Sequence, residues 1–159
     1  GVVKGVYKEN NPMYAYKVYD RFKIYRPLAD KYTKWRNNLT PYDIQGYEQL
    51  PKKGDLLIIT KSMKDVMCLY EMGYTAMSPA SESTFLTPDV IDALKLRFKR
   101  ILICFDRDVP GVKNMRKISL KTGLNGFLVH KKFQSKDISD AIKNNGLEVI
   151  KNWLKEKLS

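Results

Sequence analysis

The chain has 159 residues, a length typical of one domain with a substantial core. Its 29 basic and 17 acidic residues give a formal net charge of +12. Such an excess favours a polyanionic partner, nucleic acid before an anionic membrane surface, over a merely soluble basic protein. Two cysteines in apolar patterns (Cys68 and Cys104) and a single histidine (His130) argue against a disulfide framework and a zinc site.

Nothing in the sequence predicts insertion into a membrane. No apolar run approaches membrane-spanning length, and no signal peptide is evident, so we expect a cytosolic protein. The chain begins without Met, so we expect it to be a fragment of a larger protein.

The N-terminal part predicts a β-hairpin. Residues 1–12 are polar and are expected to be poorly ordered. Apolar and polar residues then alternate over 13–18 and 22–26, with a turn at 19–21, and Pro27 closes the second strand.

Basic and aromatic residues alternate in and after this hairpin. Single-stranded nucleic acid binding needs such a pattern, because cations follow the phosphates while rings stack on bases. The alternative is a solvated ribbon whose aromatic residues pack on the next domain. The candidate nucleic-acid-binding residues are Lys17, Arg21, Lys23, Arg26, Lys34, Trp35 and Arg36.

A connector follows, within which Ile44, Tyr47 and Leu50 fit one short helical turn. We expect a small N-terminal subdomain over 1–53 and an α/β domain over 54–159. In the latter, apolar runs predict strands at 56–59, 74–77, 101–105 and 125–129. Helical periodicity and stop signals predict helices at 62–72, 87–98, 112–122, 137–144 and 147–158. Four such units imply a mainly parallel sheet flanked by helices.

Acids follow three of the predicted strands, at the sheet edge where ligands bind in α/β folds. Asp106 and Asp108 follow the strand at 101–105, Asp65 follows the first strand, and Asp137 with Asp140 follows the fourth. Together they suit a hard cation such as Mg²⁺ and metal-assisted phosphoryl chemistry. All but Asp106 also have a local alternative, because Asp108, Asp65, Asp137 and Asp140 stand where acids cap or charge a helix N-terminus.

Three sequence blocks carry a family resemblance: 60–66 (TKSMKDV), 105–111 (FDRDVPG) and 136–140 (KDISD). In order and spacing they resemble the signatures of the Toprim domain, which DNA primases, phage primase–helicases, topoisomerases and some nucleases share. The resemblance implies a Toprim-like, Rossmann-like fold with a four-stranded sheet. It also implies that Asp106, Asp108 and Asp137 hold Mg²⁺ or Mn²⁺, with Asp65 in support.

The hairpin resembles the small basic subdomain that precedes Toprim in bacterial-type and phage primases. This extension favours a primase, which would make RNA primers on a single-stranded DNA template from nucleoside triphosphates. The expected partners therefore include helicase or zinc-binding modules of the same protein, in a bacterial cytoplasm or a phage-infected cell.

One position departs from the family pattern. Toprim proteins usually carry an acid and then Gly after the first strand, where this chain has Lys61 and Ser62. A protonated lysine cannot ligate a cation, so either catalysis is lost, or Glu82 replaces the missing acid, or Lys61 contacts a phosphate. The predicted catalytic residues are accordingly Lys61, Asp65, Glu82, Asp106 and Asp108.

Three other functions stay open. The first is a catalytically degenerate module that binds single-stranded nucleic acid, and the second is a Toprim nuclease. The third is a receiver-like domain, which is disfavoured because that fold places its acid pair after the first strand.

Overall fold

Alternating side chains fold the N-terminal part into an antiparallel sheet. The computed structural model describes residues 2–6, 12–81 and 85–159. The strands pair in the order β1-β2-β3-β4, and they are β1 (Val2–Val6), β2 (Pro12–Val18), β3 (Arg21–Tyr25) and β4 (Trp35–Asn37). The predicted hairpin is confirmed as β2 and β3, which are joined at Tyr19 with a left-handed φ of 54°.

The expectation of poor order over residues 1–12 is wrong for β1. This segment pairs antiparallel with β2, with Val2 opposite Tyr16 and Val6 opposite Pro12. Its backbone groups therefore find partners in a neighbouring strand rather than in water. Residues 1 and 7–11 lie outside the described residues.

The second sheet is parallel and four-stranded, as predicted. Its strands pair in the order β6-β5-β7-β8, and they are β5 (Gly54–Thr60), β6 (Ala76–Met77), β7 (Phe98–Cys104) and β8 (Asn125–Phe127). β5 lies beside β7 with Thr60 opposite Cys104. The loops that follow these two strands are therefore neighbours at the carboxyl edge.

In the part of the chain that the structure describes, five α-helices accompany the parallel sheet: α1 (Met63–Glu71), α2 (Pro88–Arg97), α3 (Val109–Thr122), α4 (Ile138–Asn145) and α5 (Leu147–Leu158). Short 3-10 turns occur at Tyr47–Gln49 and Lys131–Phe133. The prediction that α3 begins at Val112 is three residues late, because Asp108 caps the helix and Pro110 fits its first turn. Gly123 ends α3 with a φ of 71°, a left-handed conformation that favours glycine.

The helices cover both faces of the parallel sheet. Leu57 and Ile103 are fully buried and pack with residues of α2 and α3. Ile58, on the opposite face of β5, packs instead with residues of α1, α4 and α5. Burying a side chain of this size stabilises a fold by about 1.5–3 kcal/mol. Cys104 is buried, Cys68 is partly buried, and both are free thiols.

The two sheets contact one another directly. Tyr16 of β2 is 3% exposed and belongs to the core cluster that contains Ile58. Lys23 of β3 donates a hydrogen bond of 3.1 Å from Nζ to the carbonyl of Ala80. Among the helices of the described residues, none is long and apolar enough to cross a membrane.

Candidate metal centre and nucleic-acid interface

Three carboxylates meet at the carboxyl edge of the parallel sheet. One oxygen each from Asp65, Asp106 and Asp137 lies within 4.8 Å of the other two. Asp106 directly follows β7, Asp65 lies in the first turn of α1, and Asp137 precedes α4. Asp65 and Asp106 are buried, at 3% and 7% exposure, and Asp137 is half-buried. We call these three residues the carboxylate cluster.

Serine side chains and helix N-termini hold two members of the carboxylate cluster in place. Asp65 accepts hydrogen bonds from the Ser62 hydroxyl at 2.8 Å and from the backbone N–H of Ser139 at 2.9 Å. Asp137 accepts from the Ser139 hydroxyl at 2.9 Å and from the N–H of Asp140 at 2.7 Å. Ser139 therefore joins α1 to α4, a role that sequence reasoning missed although Ser139 lies inside the third block.

Two lysine side chains approach Asp106, the third member of the carboxylate cluster. Lys61 Nζ lies 3.2 Å from Asp106 Oδ2, and the two side chains are 14% and 9% exposed. Lys136 Nζ approaches the same oxygen at 4.0 Å from a side chain that is 56% exposed. The position that departs from the family pattern thus forms a nearly buried ion pair within the site.

The crowding of carboxylates changes their proton affinity. Burial, followed by the nearby Asp137 carboxylate, raises the pKa of Asp65 to about 7. Burial also raises the pKa of Asp106, although the Lys61 ammonium opposes this effect. The ionised carboxylates are therefore unfavourable in this site, and a bound cation would stabilise them.

Asp108 has a different position from the one predicted. Its Oδ1 accepts a hydrogen bond of 2.7 Å from the N–H of Gly111 and caps α3. It is not a member of the carboxylate cluster. Gly111 allows the chain to turn closely here, because a Cβ at this position would lie 2.2 Å from the Asp106 carbonyl oxygen.

Arg107 ties two loops of the site together. Its N–H donates to the carbonyl of Lys136 at 2.7 Å, and its Nε donates to the carbonyl of Val129 at 2.6 Å. The loop that carries Asp106 is therefore fixed to the loop that carries Asp137. Glu82, the predicted substitute acid, lies outside the described residues.

The Toprim-like family profile matches residues 58–142, which is more than half of the chain. The chain belongs to the Toprim-like family. Comparison with curated protein sequences gives no match.

Several solved structures share the fold of this Toprim-like chain. The primase fragment of the bacteriophage T7 primase-helicase has a TM-score of 0.69 and 14% identity over 99% of this chain and 66% of its own. A DNA primase domain from Pseudomonas aeruginosa has a TM-score of 0.70 and 15% identity over 96% and 56%. The DnaG primase catalytic domain bound to ssDNA has a TM-score of 0.66 and 16% identity over 92% and 51%.

These likenesses concern the fold, and they extend over the antiparallel sheet as well as the Toprim-like part. The chain spans between about half and two thirds of the length of the three structures.

The donor set of the Toprim-like site fits a divalent cation of the hard class. Asp65, Asp106 and Asp137 offer only carboxylate oxygens, the ligands that Mg²⁺ and Mn²⁺ prefer. Burial raises the pKa values of Asp65 and Asp106, and a bound cation would oppose this effect by favouring their ionised forms. The Lys61 ammonium shares this space, so it contributes positive charge beside any bound metal ion.

Aromatic rings and lysines line one face of the antiparallel sheet. The rings of Tyr25 and Trp35 stack with centroids 4.3 Å apart. The ammonium of Lys23 lies 5.2 Å from the Trp35 ring, and those of Lys34 and Lys64 lie 5.8 and 5.6 Å from the Tyr25 ring. Lys64 precedes Asp65 in α1, so one residue of this helix contacts the face and the next residue belongs to the carboxylate cluster. We call this face of the antiparallel sheet the inner face.

Two of the predicted nucleic-acid-binding residues support the local fold. Arg26 donates from Nε and Nη2 to the carbonyl of Thr33 at 3.0 and 2.6 Å. Arg21 donates to the carbonyl of Asn38 at 3.2 Å and lies 3.7 Å from the Asp43 carboxylate. Both guanidinium groups therefore have structural contacts within the N-terminal part.

Lys17 and Arg36 lie on the other face of the antiparallel sheet. Lys17 stands opposite Phe22, and Arg36 stands opposite Ile24, so these four residues share the face away from Tyr25 and Trp35. Both cations are exposed. The predicted nucleic-acid-binding set is thus divided between two surfaces rather than gathered on one.

Proposed function

We propose that this chain is the nucleotidyl-transfer part of a DNA primase or primase–helicase, which makes RNA primers on single-stranded DNA with Mg²⁺ or Mn²⁺. The observation that carries the proposal is the carboxylate cluster beside the inner face of the antiparallel sheet. Asp106 and Asp137, with Asp65, would hold the cation. Asp108 remains a predicted metal ligand, although its Oδ1 already accepts the hydrogen bond that caps α3.

A divalent cation held by these carboxylates would orient a nucleoside triphosphate and neutralise the charge that develops during transfer. Residues of this chain hold the carboxylates in the positions that a cation would need. Ser62 and Ser139 orient two carboxylates, and Arg107 keeps the loops of Asp106 and Asp137 at a fixed separation.

The exposed part of the inner face, around Trp35, would bind the single-stranded template, because Tyr16 on the same face is buried in the core cluster. Trp35 is 38% exposed and is stacked on Tyr25, so its ring is pre-oriented to receive a base. Lys23, Lys34 and Lys64 add positive charge near the two rings, where backbone phosphates would run. Lys17 and Arg36 would act as a second, outer set of phosphate contacts.

We further propose that the two parts of the chain have different roles. Residues 1–53 would guide the template, and residues 54–159 would hold the metal and the nucleotide. Primer synthesis would then depend on other parts of the same protein, such as a helicase or a zinc-binding module, in a bacterial or phage-infected cytoplasm.

The test is primer synthesis by the longer protein that contains this chain, with the variant Asp106→Asn. Loss of one charged ligand removes several kcal/mol of charge stabilisation, so we expect a rate loss of about a hundredfold or more. Asp55→Asn is the matched control, because Asp55 forms an exposed ion pair of 2.7 Å with Lys99, away from the carboxylate cluster. Full activity of Asp106→Asn would contradict the catalytic proposal.

One observation favours the second candidate, a module that only binds single-stranded nucleic acid. The Lys61–Asp106 ion pair already supplies positive charge where the family carries an acid. Such a module would bind single-stranded DNA with steep salt dependence and no response to EDTA, and the longer protein would make no primers. Primer synthesis that stops with EDTA would exclude it.

A further inference from the structure

Lys61 occupies a position inside the carboxylate cluster that is unusual for a lysine. Its ammonium contacts Asp106 Oδ2 at 3.2 Å, and only 14% of its side chain is exposed. The backbone on both sides is fixed, because the Thr60 hydroxyl donates to the carbonyl of Ser62 at 3.2 Å and Ser62 caps α1. Lys61 is therefore a built component of the site rather than a mobile surface charge.

Charge balance indicates what this component does. The three carboxylates carry a formal charge of −3 when all are ionised. One ammonium and one divalent cation together balance that charge, whereas two divalent cations and the ammonium exceed it. Burial makes an excess of like charge costly, because the attraction and repulsion of charges are weakly screened there.

We propose that the Lys61 ammonium excludes a second metal ion, so that the carboxylate cluster binds a single divalent cation with Lys61 beside it. This inference rests on the metal site of the proposed function. It differs from loss of catalysis, because the lysine supplies part of the positive charge that a second cation would bring. Asp106 is then shared between the ammonium and the metal ion.

The experiment is a titration with Mn²⁺, followed by electron paramagnetic resonance and calorimetry, on the full chain. We expect the unmodified protein to bind one Mn²⁺ at the carboxylate cluster. Lys61→Met keeps the aliphatic stem and removes the charge, so Mn²⁺ affinity should rise about tenfold or more, which corresponds to about 1.4 kcal/mol. Lys61→Glu adds a fourth carboxylate and should raise the stoichiometry to two.

Lys136→Met is the matched control. Its ammonium lies farther from the same oxygen, at 4.0 Å, and its side chain is 56% exposed, so solvent screens it. We expect a change in Mn²⁺ affinity of less than about threefold. Circular dichroism melts verify folding, and Lys61→Gln carries the same test if Lys61→Met does not fold.

The inference is overturned if the unmodified protein binds two ions at the cluster, if Lys61→Met behaves like Lys136→Met, or if Lys61→Glu still binds one. The proposed function is judged separately by primer synthesis. If Lys61 controls Mn²⁺ as expected and no primers are made, the nucleotidyl-transfer proposal fails and this inference stands. If primers are made and Lys61→Met leaves Mn²⁺ binding unchanged, this inference fails and the nucleotidyl-transfer proposal stands.

Discussion

Replacing Asp65 by Asn should make the metal-free protein more stable at pH 8. Burial and the Asp137 carboxylate raise the pKa of Asp65 from 3.8 to about 7 in the folded protein. Between these values the folded state binds more protons than the unfolded state, so the free energy of unfolding falls as the pH rises through this window. The ionised Asp65 carboxylate therefore lowers the free energy of unfolding at pH 8. A neutral Asn at this position does not.

The size of the effect follows from the shift. A pKa difference of about three units corresponds to about 4 kcal/mol at 1.36 kcal/mol per unit. The carboxylates share this cost, so we expect a gain for Asp65→Asn on the order of 2–4 kcal/mol at pH 8. Asn keeps an oxygen that can accept from the Ser139 N–H, and the Ser62 hydroxyl can rotate to meet the amide.

The assay is urea unfolding in EDTA at pH 4.5 and pH 8. The advantage of Asp65→Asn should be small at pH 4.5, where the folded wild type keeps its proton, and large at pH 8. Asp55→Asn is the control, because Asp55 is exposed beside Lys99. An equal difference at both pH values, or a less stable Asp65→Asn at pH 8, would refute the reasoning.

Two further predictions concern the neighbouring elements. Trp35→Ala should weaken binding of single-stranded DNA by about 1–3 kcal/mol in a fluorescence anisotropy titration, because the ring supplies a stacking surface. Tyr70→Ala, an exposed aromatic at the far end of α1, should leave that affinity unchanged, and equal losses would argue against the inner face. Gly111→Ala should destabilise the fold by about 1–3 kcal/mol and weaken Mn²⁺ binding, because its Cβ would collide with the Asp106 carbonyl. Unchanged Mn²⁺ affinity in a folded Gly111→Ala would show that the Asp106 loop tolerates the displacement.

The sequence predicted the parallel sheet because buried strands and amphipathic helices alternate with clear periodicity. Ile101 to Phe105 marks β7 by composition alone, and the acids after it mark the functional edge. β1 was missed because a short segment becomes a strand only by pairing with β2. Such pairing is a tertiary interaction that local periodicity does not record.

The ion pair within the site depends on strand order, which the sequence did not reveal. Lys61 and Asp106 are neighbours because β5 lies beside β7 with Thr60 opposite Cys104. From the sequence alone Lys61 is a candidate phosphate contact, and no local pattern pairs it with Asp106. The hydrogen bond from Ser139 to Asp65 could not be predicted for the same reason, because it forms only when α1 and α4 are packed together.

The central claim is that the carboxylate cluster is a metal site. Its most direct test is a crystal of this chain soaked in Mn²⁺ and measured for anomalous scattering. We expect one peak about 2.1 Å from oxygens of Asp65, Asp106 and Asp137, with the Lys61 ammonium still beside Asp106. A saturating soak that gives no peak there, with the three side chains in their present positions, would contradict it.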